Sequence, residues 1–149
     1  MLTEKSAAII SLKCIESLMP DLRENVLRWY EEASSIAAMP YIYYGFRSIE
    51  MQAHLYEEYK KGNCGLSAKP GESYHNYGAA IDWVPLRRME DVPEYFEADW
   101  ENMAAYSIGE KICEKHGLRP IREETGHLQD ARFETWRDAK RAYERSLWP

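Results

Sequence analysis

Over the first forty residues, apolar side chains recur at the three- and four-residue spacing of amphipathic helices. A first helical pattern ends near Met19, and the following Pro20 suits the first turn of a second helix. We predict that this second helix runs to about Ala37 and that Pro40 prevents its continuation. The pattern therefore predicts two helices ahead of any strand.

Two short apolar segments in the middle of the chain predict buried strands. Residues 41–46 are aromatic and β-branched, and residues 79–84 are apolar and closed by Pro85. Between these segments, Ser48 can cap a helix over residues 49–60. We expect three residues of this helix to face the core: Met51, Leu55 and Tyr59.

The last third of the chain alternates between helical and extended patterns. Residues 86–98 predict an irregular excursion, and a helix over about 99–116 follows, which Gly117 ends. Short strands are expected at residues 118–121 and 126–129. A final helix over residues 131–146 places four apolar residues on one face: Phe133, Trp136, Ala139 and Tyr143.

Strands separated by helices in this irregular order predict the α+β class, with a small mixed or antiparallel sheet flanked by helices. The sequence contains no repeat and no linker rich in Pro, Gly or Ser, so we predict one domain over residues 1–149. Within this domain we distinguish N-terminal helices (1–40), a catalytic core (41–130) and a C-terminal helix (131–149).

Composition narrows the class of protein. Of the 149 residues, 45% are hydrophobic and 30% are charged, which excludes a wholly disordered chain. The net charge of −6 argues against a nucleic-acid partner, because such binding depends on clustered positive charge. Three widely spaced cysteines indicate reduced thiols. The chain shows neither a transmembrane run nor signal-peptide features, so we expect synthesis in the cytoplasm and no stable membrane insertion.

Two of the four histidines have a ready structural explanation, since His54 lies in the middle of a predicted helix and His116 in the last turn of another. His75 is different, because it is followed seven residues later by Asp82, a carboxylate inside an apolar strand. A charge in such a place is costly unless it is paired or bound to a metal. Hydrogen bonds from the backbone or from Arg47 would also compensate it.

The fourth histidine, His127, follows Glu124 by three residues. Two histidines and one aspartate can hold Zn²⁺ with a fourth position open to water, whose pKa the metal lowers. A nearby carboxylate that is not a ligand can then take a proton from this water. Glu124 and the adjacent Glu123 are equally typical of a solvated acidic turn, so this segment alone leaves both interpretations open.

Three motifs occur in the order and spacing of one peptidase family. Ser-x-His-x-x-Gly-x-Ala-x-Asp, at residues 73–82, resembles the first zinc motif of the LAS-type zinc peptidases, which include D-alanyl-D-alanine carboxypeptidases and L-alanyl-D-glutamate endopeptidases. The acid-x-x-His element at residues 124–127 resembles the second motif. Gly-Phe-Arg-Ser at residues 45–48, followed by Gln52 and Tyr56, resembles the segment ahead of the zinc site. The compact chain is most similar to phage endolysin-type members.

This resemblance implies a zinc metallopeptidase with one Zn²⁺ per chain. The implied zinc ligands are His75, Asp82 and His127. Glu124 is implied as the general base and acid, and Arg47 as the cation that stabilises the oxyanion. Substrate-binding roles are implied for Ser73, Gln52 and Tyr74.

The chain departs from the family pattern in two places. Many members carry a Trp-Gly-Gly-Asp-Trp-like stretch where residues 118–123 here are Leu-Arg-Pro-Ile-Arg-Glu. Gln129 stands where members often carry glutamate. The first departure changes the expected substrate contacts near the second motif and leaves the implied ligands unchanged.

The resemblance implies cleavage of the L-Ala–D-Glu bond in the peptidoglycan stem peptide by a phage or prophage endolysin, expected to be a monomer that reaches the wall through a holin. A D,D-carboxypeptidase that removes terminal D-Ala is the alternative within the enzyme class. A zinc-containing module that only binds wall peptide is the alternative outside it, although the presence of Glu124 argues against lost catalysis. A structural phage or plasmid protein would carry these motifs only by coincidence.

Overall fold

The computed structural model describes residues 1–36 and 38–147, which form helices around a five-stranded sheet. The helices are α1 (Glu4–Glu16), α2 (Pro20–Ser35), α3 (Ile49–Lys60), α4 (Met103–Cys113) and α5 (Trp136–Ser146). The strands are β1 (Pro40–Tyr44), β2 (Ala80–Arg88), β3 (Phe96–Ala98), β4 (Leu118–Ile121) and β5 (Glu124–Asp130). Two short 3₁₀ helices span Tyr74–Tyr77 and Glu114–His116.

The sheet is antiparallel, with strand order β1-β2-β5-β4. β2 is nine residues long and central, because it pairs with β1 on one side and β5 on the other. Its last three residues leave this sheet path and pair with β3. The predicted α+β class with a small sheet between helices is confirmed. No helix in the described part of the chain is long and apolar enough to cross a membrane.

Alternation along β2 separates the core from the opposite face of the sheet. Ile81 and Trp83 are fully buried in the core, where the Trp83 ring meets the Trp29 ring of α2 edge-on at 5.1 Å. Trp29 also donates its indole N–H to the carbonyl of Gly109 in α4 at 2.9 Å. Because successive strand residues point to opposite faces, Asp82 is turned away from this core.

Local signals fixed several element ends as predicted. Ser48 caps α3 by accepting a hydrogen bond from the backbone N–H of Met51, and α3 has the predicted bounds. Gly117 ends the helical segment in the left-handed conformation, with φ of 73°, and β4 follows at residues 118–121. The predicted end of the second helix at Ala37 lies outside the described residues, and α2 ends at Ser35.

The predicted core face of α3 is wrong. Met51 and Tyr59 are exposed by 45% and 37%, and the buried residue of this helix is Gln52. The buried face is polar because the Gln52 amide forms hydrogen bonds with Arg47 and with the loop that contains Ser67. Leu55 is half-buried and lines the cleft described below.

Other boundaries also differ from the predictions, since α4 begins at Met103 instead of about residue 99 and β1 ends at Tyr44 instead of residue 46. β2 continues through Pro85 to Arg88, because Pro85 and Pro40 face each other at a pair that exchanges no backbone hydrogen bonds; the N–H of the next residue, Leu86, donates to the Met39 carbonyl. Residues 86–98, predicted as an irregular excursion, include β3. α5 begins at Trp136 because Thr135 caps it. The predicted apolar face of this helix is confirmed, since its residues pack in one cluster: Phe133, Trp136, Ala139 and Tyr143, together with Tyr74, Tyr77 and Ala79.

Candidate metal centre and cleft

Asp82 lies in the middle of the sheet with a neighbour on each side. Its register partners are Tyr44 on β1 and His127 on β5. An extra residue on β1, Tyr43, interrupts the ladder and brings Tyr44 opposite Asp82. The carboxylate is therefore held by ordered strands on the face opposite the tryptophan core.

A bulge on β5 brings the acid and the histidine of the second motif together. Pro120 of β4 pairs with Leu128, but the next residue, Ile121, pairs with Glu124, so three residues of β5 have no partner on β4. Gly126 lies in this bulge with φ of 80°, and a Cβ there would be 2.4 Å from the carbonyl oxygen of Trp83. In a regular strand, residues 124 and 127 would point to opposite faces, whereas here both line one cleft.

His75 enters the site from the 3₁₀ helix Tyr74–Tyr77. Ser73 caps this helix and accepts a hydrogen bond from the His75 backbone N–H, and Gly78 ends it in the left-handed conformation. A Cβ at Gly78 would lie 2.6 Å from the backbone nitrogen of Met19, which donates to the Gly78 carbonyl. The turn that carries His75 is thus fixed against the start of α2.

The three predicted ligands converge. One ligand atom from each of His75, Asp82 and His127 lies within 4.8 Å of the other two. Asp82 Oδ1 is 3.1 Å from His75 Nε2 and 3.1 Å from His127 Nδ1. Both imidazoles are buried, and their rings meet edge-on at 5.1 Å. The fold thus provides two nitrogens and one oxygen around a single point.

Hydrogen bonds to the far side of each ring show which nitrogen is free to bind a metal. His75 Nδ1 donates to the carbonyl of Gly45 at 2.8 Å, and His127 Nε2 donates to Gln129 Oε1 at 3.0 Å. In the neutral imidazoles, the lone pairs of His75 Nε2 and His127 Nδ1 therefore face the Asp82 carboxylate. Partners of this kind orient metal-binding histidines.

The chemistry of these donors fits a cation. His75 Nε2 is buried and, among the described residues, has no hydrogen-bond partner, although Asp82 is close. Two lone pairs aimed at a carboxylate repel it unless a positive charge lies between them. Two nitrogens, one carboxylate oxygen and an open cleft match a catalytic zinc site with three protein ligands. The predicted zinc cofactor is supported by this geometry.

The pKa shifts of two groups reflect the same electrostatics. Burial alone would raise the pKa of the Asp82 carboxyl, but His75 and His127 outweigh burial and hold this pKa well below its usual range. Burial alone would lower the pKa of His127, but the protonated ring can donate from Nδ1 to Asp82, and this raises the pKa above its usual value. The site therefore favours an ionised Asp82 with positive charge beside it.

Arg47 holds the second oxygen of Asp82. Its Nη2 donates to Asp82 Oδ2 at 3.2 Å and its Nη1 to Gln52 Oε1 at 3.0 Å, while its guanidinium lies 4.4 Å above the Tyr44 ring. The sequence left open whether Arg47 or a metal compensates Asp82. The structure shows that Arg47 pairs with Oδ2, and that Oδ1 is left facing the two histidines.

Glu124 lies beside the metal centre without belonging to the ligand group. Its Oε2 is 3.4 Å from His127 Nδ1, and its side chain is 38% exposed toward the cleft. Glu123 lies in the two-residue turn between β4 and β5 and is exposed. Only Glu124 of these two acids contacts a predicted ligand, which is the placement expected of a proton-transfer group.

A cleft of about 950 Å³ opens over this centre. All eight residues predicted for the site line it: Arg47, Gln52, Ser73, Tyr74, His75, Asp82, Glu124 and His127. The amide of Gln52 is engaged with Arg47, Ser67 and the carbonyl of Ala68. The Tyr74 hydroxyl donates to the Phe133 carbonyl at 2.8 Å. These two side chains therefore position other groups in the cleft wall.

Sequence reasoning missed the roles of two residues around the centre. The Gly45 carbonyl orients His75, and Gln129, noted only as a departure from the family, orients His127. Glycine is required at position 45, because a Cβ there would lie 2.3 Å from the Cys14 carbonyl oxygen. Because residues two apart in a strand lie on the same face, the spacing of His127 and Gln129 was the signal that could have identified Gln129 as a partner of His127.

A comparison with protein families finds one match over most of the chain. The sequence profile described as VanY, D-alanyl-D-alanine carboxypeptidase, matches residues 16–137. A curated relative, the peptidoglycan L-alanyl-D-glutamate endopeptidase CwlK of Bacillus subtilis (strain 168), is 55% identical over 42 residues. This segment covers 27% of the chain and only 25% of CwlK.

Solved structures share the fold at low sequence identity. VanYB in complex with D-alanine-D-alanine has a TM-score of 0.55 at 16% identity, over 86% of this chain and 77% of that one. A VanY mutant from the VanB-type cassette in complex with Zn(II) has a TM-score of 0.54 at 17% identity, over 87% and 83%. The LdcB LD-carboxypeptidase has a TM-score of 0.56 at 17% identity, over 86% and 64%. The chain thus spans about two thirds of LdcB.

Proposed function

The chain belongs to the VanY family of D-alanyl-D-alanine carboxypeptidases, and from this premise we propose that it is a zinc peptidase that cleaves the L-Ala–D-Glu bond of peptidoglycan stem peptides. Zinc fits the His75–Asp82–His127 group described above. One observation favours this bond over others, namely the 55% identity to an L-alanyl-D-glutamate endopeptidase over 42 residues.

The residues of the cleft divide the work of hydrolysis. When bound, zinc supplies a Lewis acid for the scissile carbonyl and lowers the pKa of water at the site. Glu124 takes a proton from the attacking water as the water oxygen bonds to the carbonyl carbon, and then delivers this proton to the nitrogen of the leaving amine as the C–N bond breaks. This role is supported by its position 3.4 Å from His127 Nδ1.

Arg47 stabilises the negative charge that develops on the carbonyl oxygen. Its two hydrogen bonds, to Asp82 and Gln52, fix the guanidinium, and each terminal nitrogen carries a second N–H for an oxygen in the cleft. A fixed cation lowers the barrier most when charge appears only in the transition state. Ser73 acts indirectly by capping the turn that carries His75.

A D,D-carboxypeptidase activity is the second candidate, because the family profile is described by that activity. Both reactions would use the same zinc centre, and they differ in which peptide bond of the substrate lies next to the zinc. Digestion of purified peptidoglycan by the zinc-loaded protein separates the candidates. New N-terminal D-Glu supports the endopeptidase, free D-Ala supports the carboxypeptidase, and the absence of both products supports a module that only binds wall peptide.

Action on the bacterial wall as a phage or prophage endolysin is part of the proposal. A suspension of purified cell walls should lose turbidity when the zinc-loaded protein is added from outside. The same measurement with metal-free protein is the control. We propose that the active form is a monomer. Size-exclusion chromatography with light scattering, on protein without added cell wall, measures its molar mass directly.

A further inference from the structure

We propose that Arg119 forms a carboxylate-binding subsite in the cleft, a proposal that rests on the proposed function. Arg119 lies on β4 directly opposite Gln129 of β5, and both line the cleft. Directly opposite residues point to the same face of a sheet. Arg119 therefore lies on the same face of the sheet as His127. Its partner Gln129 is two residues from His127 along β5, which corresponds to roughly 7 Å along the strand.

The guanidinium of Arg119 is held in place by neutral groups. Its Nη2 donates to the Phe133 carbonyl at 2.9 Å and to the Tyr74 hydroxyl at 3.2 Å. The Tyr74 hydroxyl also donates to the Phe133 carbonyl. The Arg119 guanidinium thus links β4 to the 3₁₀ helix Tyr74–Tyr77 and to the segment before α5. These contacts use at most two of the five N–H groups of the guanidinium. The planar side chain can therefore donate its remaining N–H groups to an anion.

The charge of Arg119 is not neutralised within the cleft. Across residues 1–36 and 38–147, no carboxylate lies within 4.0 Å of its guanidinium, whereas the other arginine of the cleft, Arg47, is paired with Asp82. Five acids line the cleft: Glu72, Asp82, Glu123, Glu124 and Glu134. A rigid, unpaired arginine among these acids suits a ligand that brings its own negative charge.

Stem peptides offer such a charge next to the scissile bond. In the residue that supplies the scissile nitrogen, the α-carbon bonded to this nitrogen also carries a carboxylate. This group is the α-carboxylate of D-Glu in the endopeptidase reaction and the C-terminal carboxylate of D-Ala in the carboxypeptidase reaction. Arg119 lies in residues 118–123, the segment that replaces the family's Trp-Gly-Gly stretch. The subsite is thus a specificity feature of this chain's own sequence.

The test measures binding, so that it does not depend on turnover. Zinc-loaded Glu124→Gln protein is titrated calorimetrically with L-Ala-γ-D-Glu-L-Lys-D-Ala-D-Ala peptides in which the D-Glu α-carboxylate or the C-terminal D-Ala carboxylate is replaced by an amide. We expect the peptide that lacks the recognised carboxylate to bind at least ~10-fold more weakly than the free acid. The amide that weakens binding identifies the source of the carboxylate.

Variants then assign the effect to Arg119. In the same background, Arg119→Gln should make the acid and amide peptides bind equally, Arg119→Lys should retain part of the preference, and Arg122→Gln in the exposed β4–β5 turn should retain all of it. An unchanged preference in Arg119→Gln, or equal binding of the peptides to the parent, would overturn the subsite alone. Failure of every peptide to bind would contradict the proposed function as well.

Discussion

Glu124 Oε2 lies 3.4 Å from His127 Nδ1, although an odd spacing of three residues in a regular strand would place the two side chains on opposite faces. The bulge around Gly126 removes this conflict. It places a carboxylate that is not a ligand beside a nitrogen that is free to bind zinc. The acid and the ligand are therefore positioned by one backbone feature.

Substitution of Glu124 by Gln should separate binding from catalysis. The variant should fold, hold zinc and bind stem peptide, because the amide keeps the shape of the side chain, but hydrolysis should slow by at least ~10²-fold as the basic group is lost. Release of amino termini from purified peptidoglycan measures the rate. Glu123→Gln is the matched control and should be nearly as active as the parent. Exchanged behaviour of the two variants would show that the wrong acid had been assigned.

Loss of His75 should remove the metal. His75→Ala takes away a buried nitrogen that faces Asp82 without a hydrogen-bond partner among the described residues. We expect substoichiometric zinc in the purified variant, as measured by elemental analysis. His54→Ala, in an exposed position of α3, should keep one zinc per chain. Full zinc occupancy in His75→Ala would contradict the ligand assignment.

Chelation should lower the thermal stability of the protein. The predicted zinc ligands come from three separate elements of the native state, so removal of the metal should cost about 2.7 kcal/mol when free zinc was a hundredfold above its Kd. For a chain of this length, Tm should fall by about 5–10 °C, as followed by circular dichroism. Chelator added to His75→Ala protein should leave Tm unchanged, which separates metal loss from other effects of the chelator.

Replacement of Arg47 should affect the transition state. Arg47→Ala should lower kcat by ~10²–10³-fold, because the developing oxyanion loses its fixed cation. Arg47→Lys should recover little of this loss, since one ammonium cannot hold Asp82 and Gln52 with the same planar geometry. Steady-state kinetics on a synthetic stem peptide give both constants. A change confined to KM would assign Arg47 to substrate binding instead.

The three cysteines should react with thiol reagents in a fixed order. Burial raises the pKa of the Cys113 thiol to about 11, and burial also raises the pKa of Cys14. Because the thiolate is the reactive form, Cys113 should stay unmodified in native protein at pH 8 and react only after unfolding. Exposed Cys64 should react first. Mass spectrometry of the alkylated peptides checks this order, and early modification of Cys113 would contradict the described packing of α4.

Local signals in the sequence predicted elements better than faces. Ser48 and Gly117 fix helix ends through their own side-chain or backbone chemistry, so the ends of these helices could be predicted from the residues alone. The face of α3 could not, because Gln52 is buried by partners from other segments. Likewise, Pro85 is tolerated inside β2 because the register with β1 places it at a pair without backbone hydrogen bonds, and this register is set only by the folded sheet.

In the candidate site too, some features could be predicted from the sequence and others depend on tertiary contacts. His75, Asp82 and His127 were predicted as ligands from the resemblance of their motifs to those of a zinc peptidase family, and the fold brings them together. The groups that orient them could not be identified, since the Gly45 carbonyl and the Gln129 amide act through contacts that only the tertiary structure creates. The unpaired state of Arg119 is also a property of the folded cleft.

The position of β5 between β2 and β4 has a consequence for synthesis on the ribosome. Asp82 and His127 are 45 residues apart in sequence but are direct register partners, and β5 must insert beside a strand made much earlier. Until β5 has left the exit tunnel, a nascent chain can position only two of the three predicted metal ligands. A prematurely terminated chain that ends before residue 127 is therefore unable to assemble the His75–Asp82–His127 group.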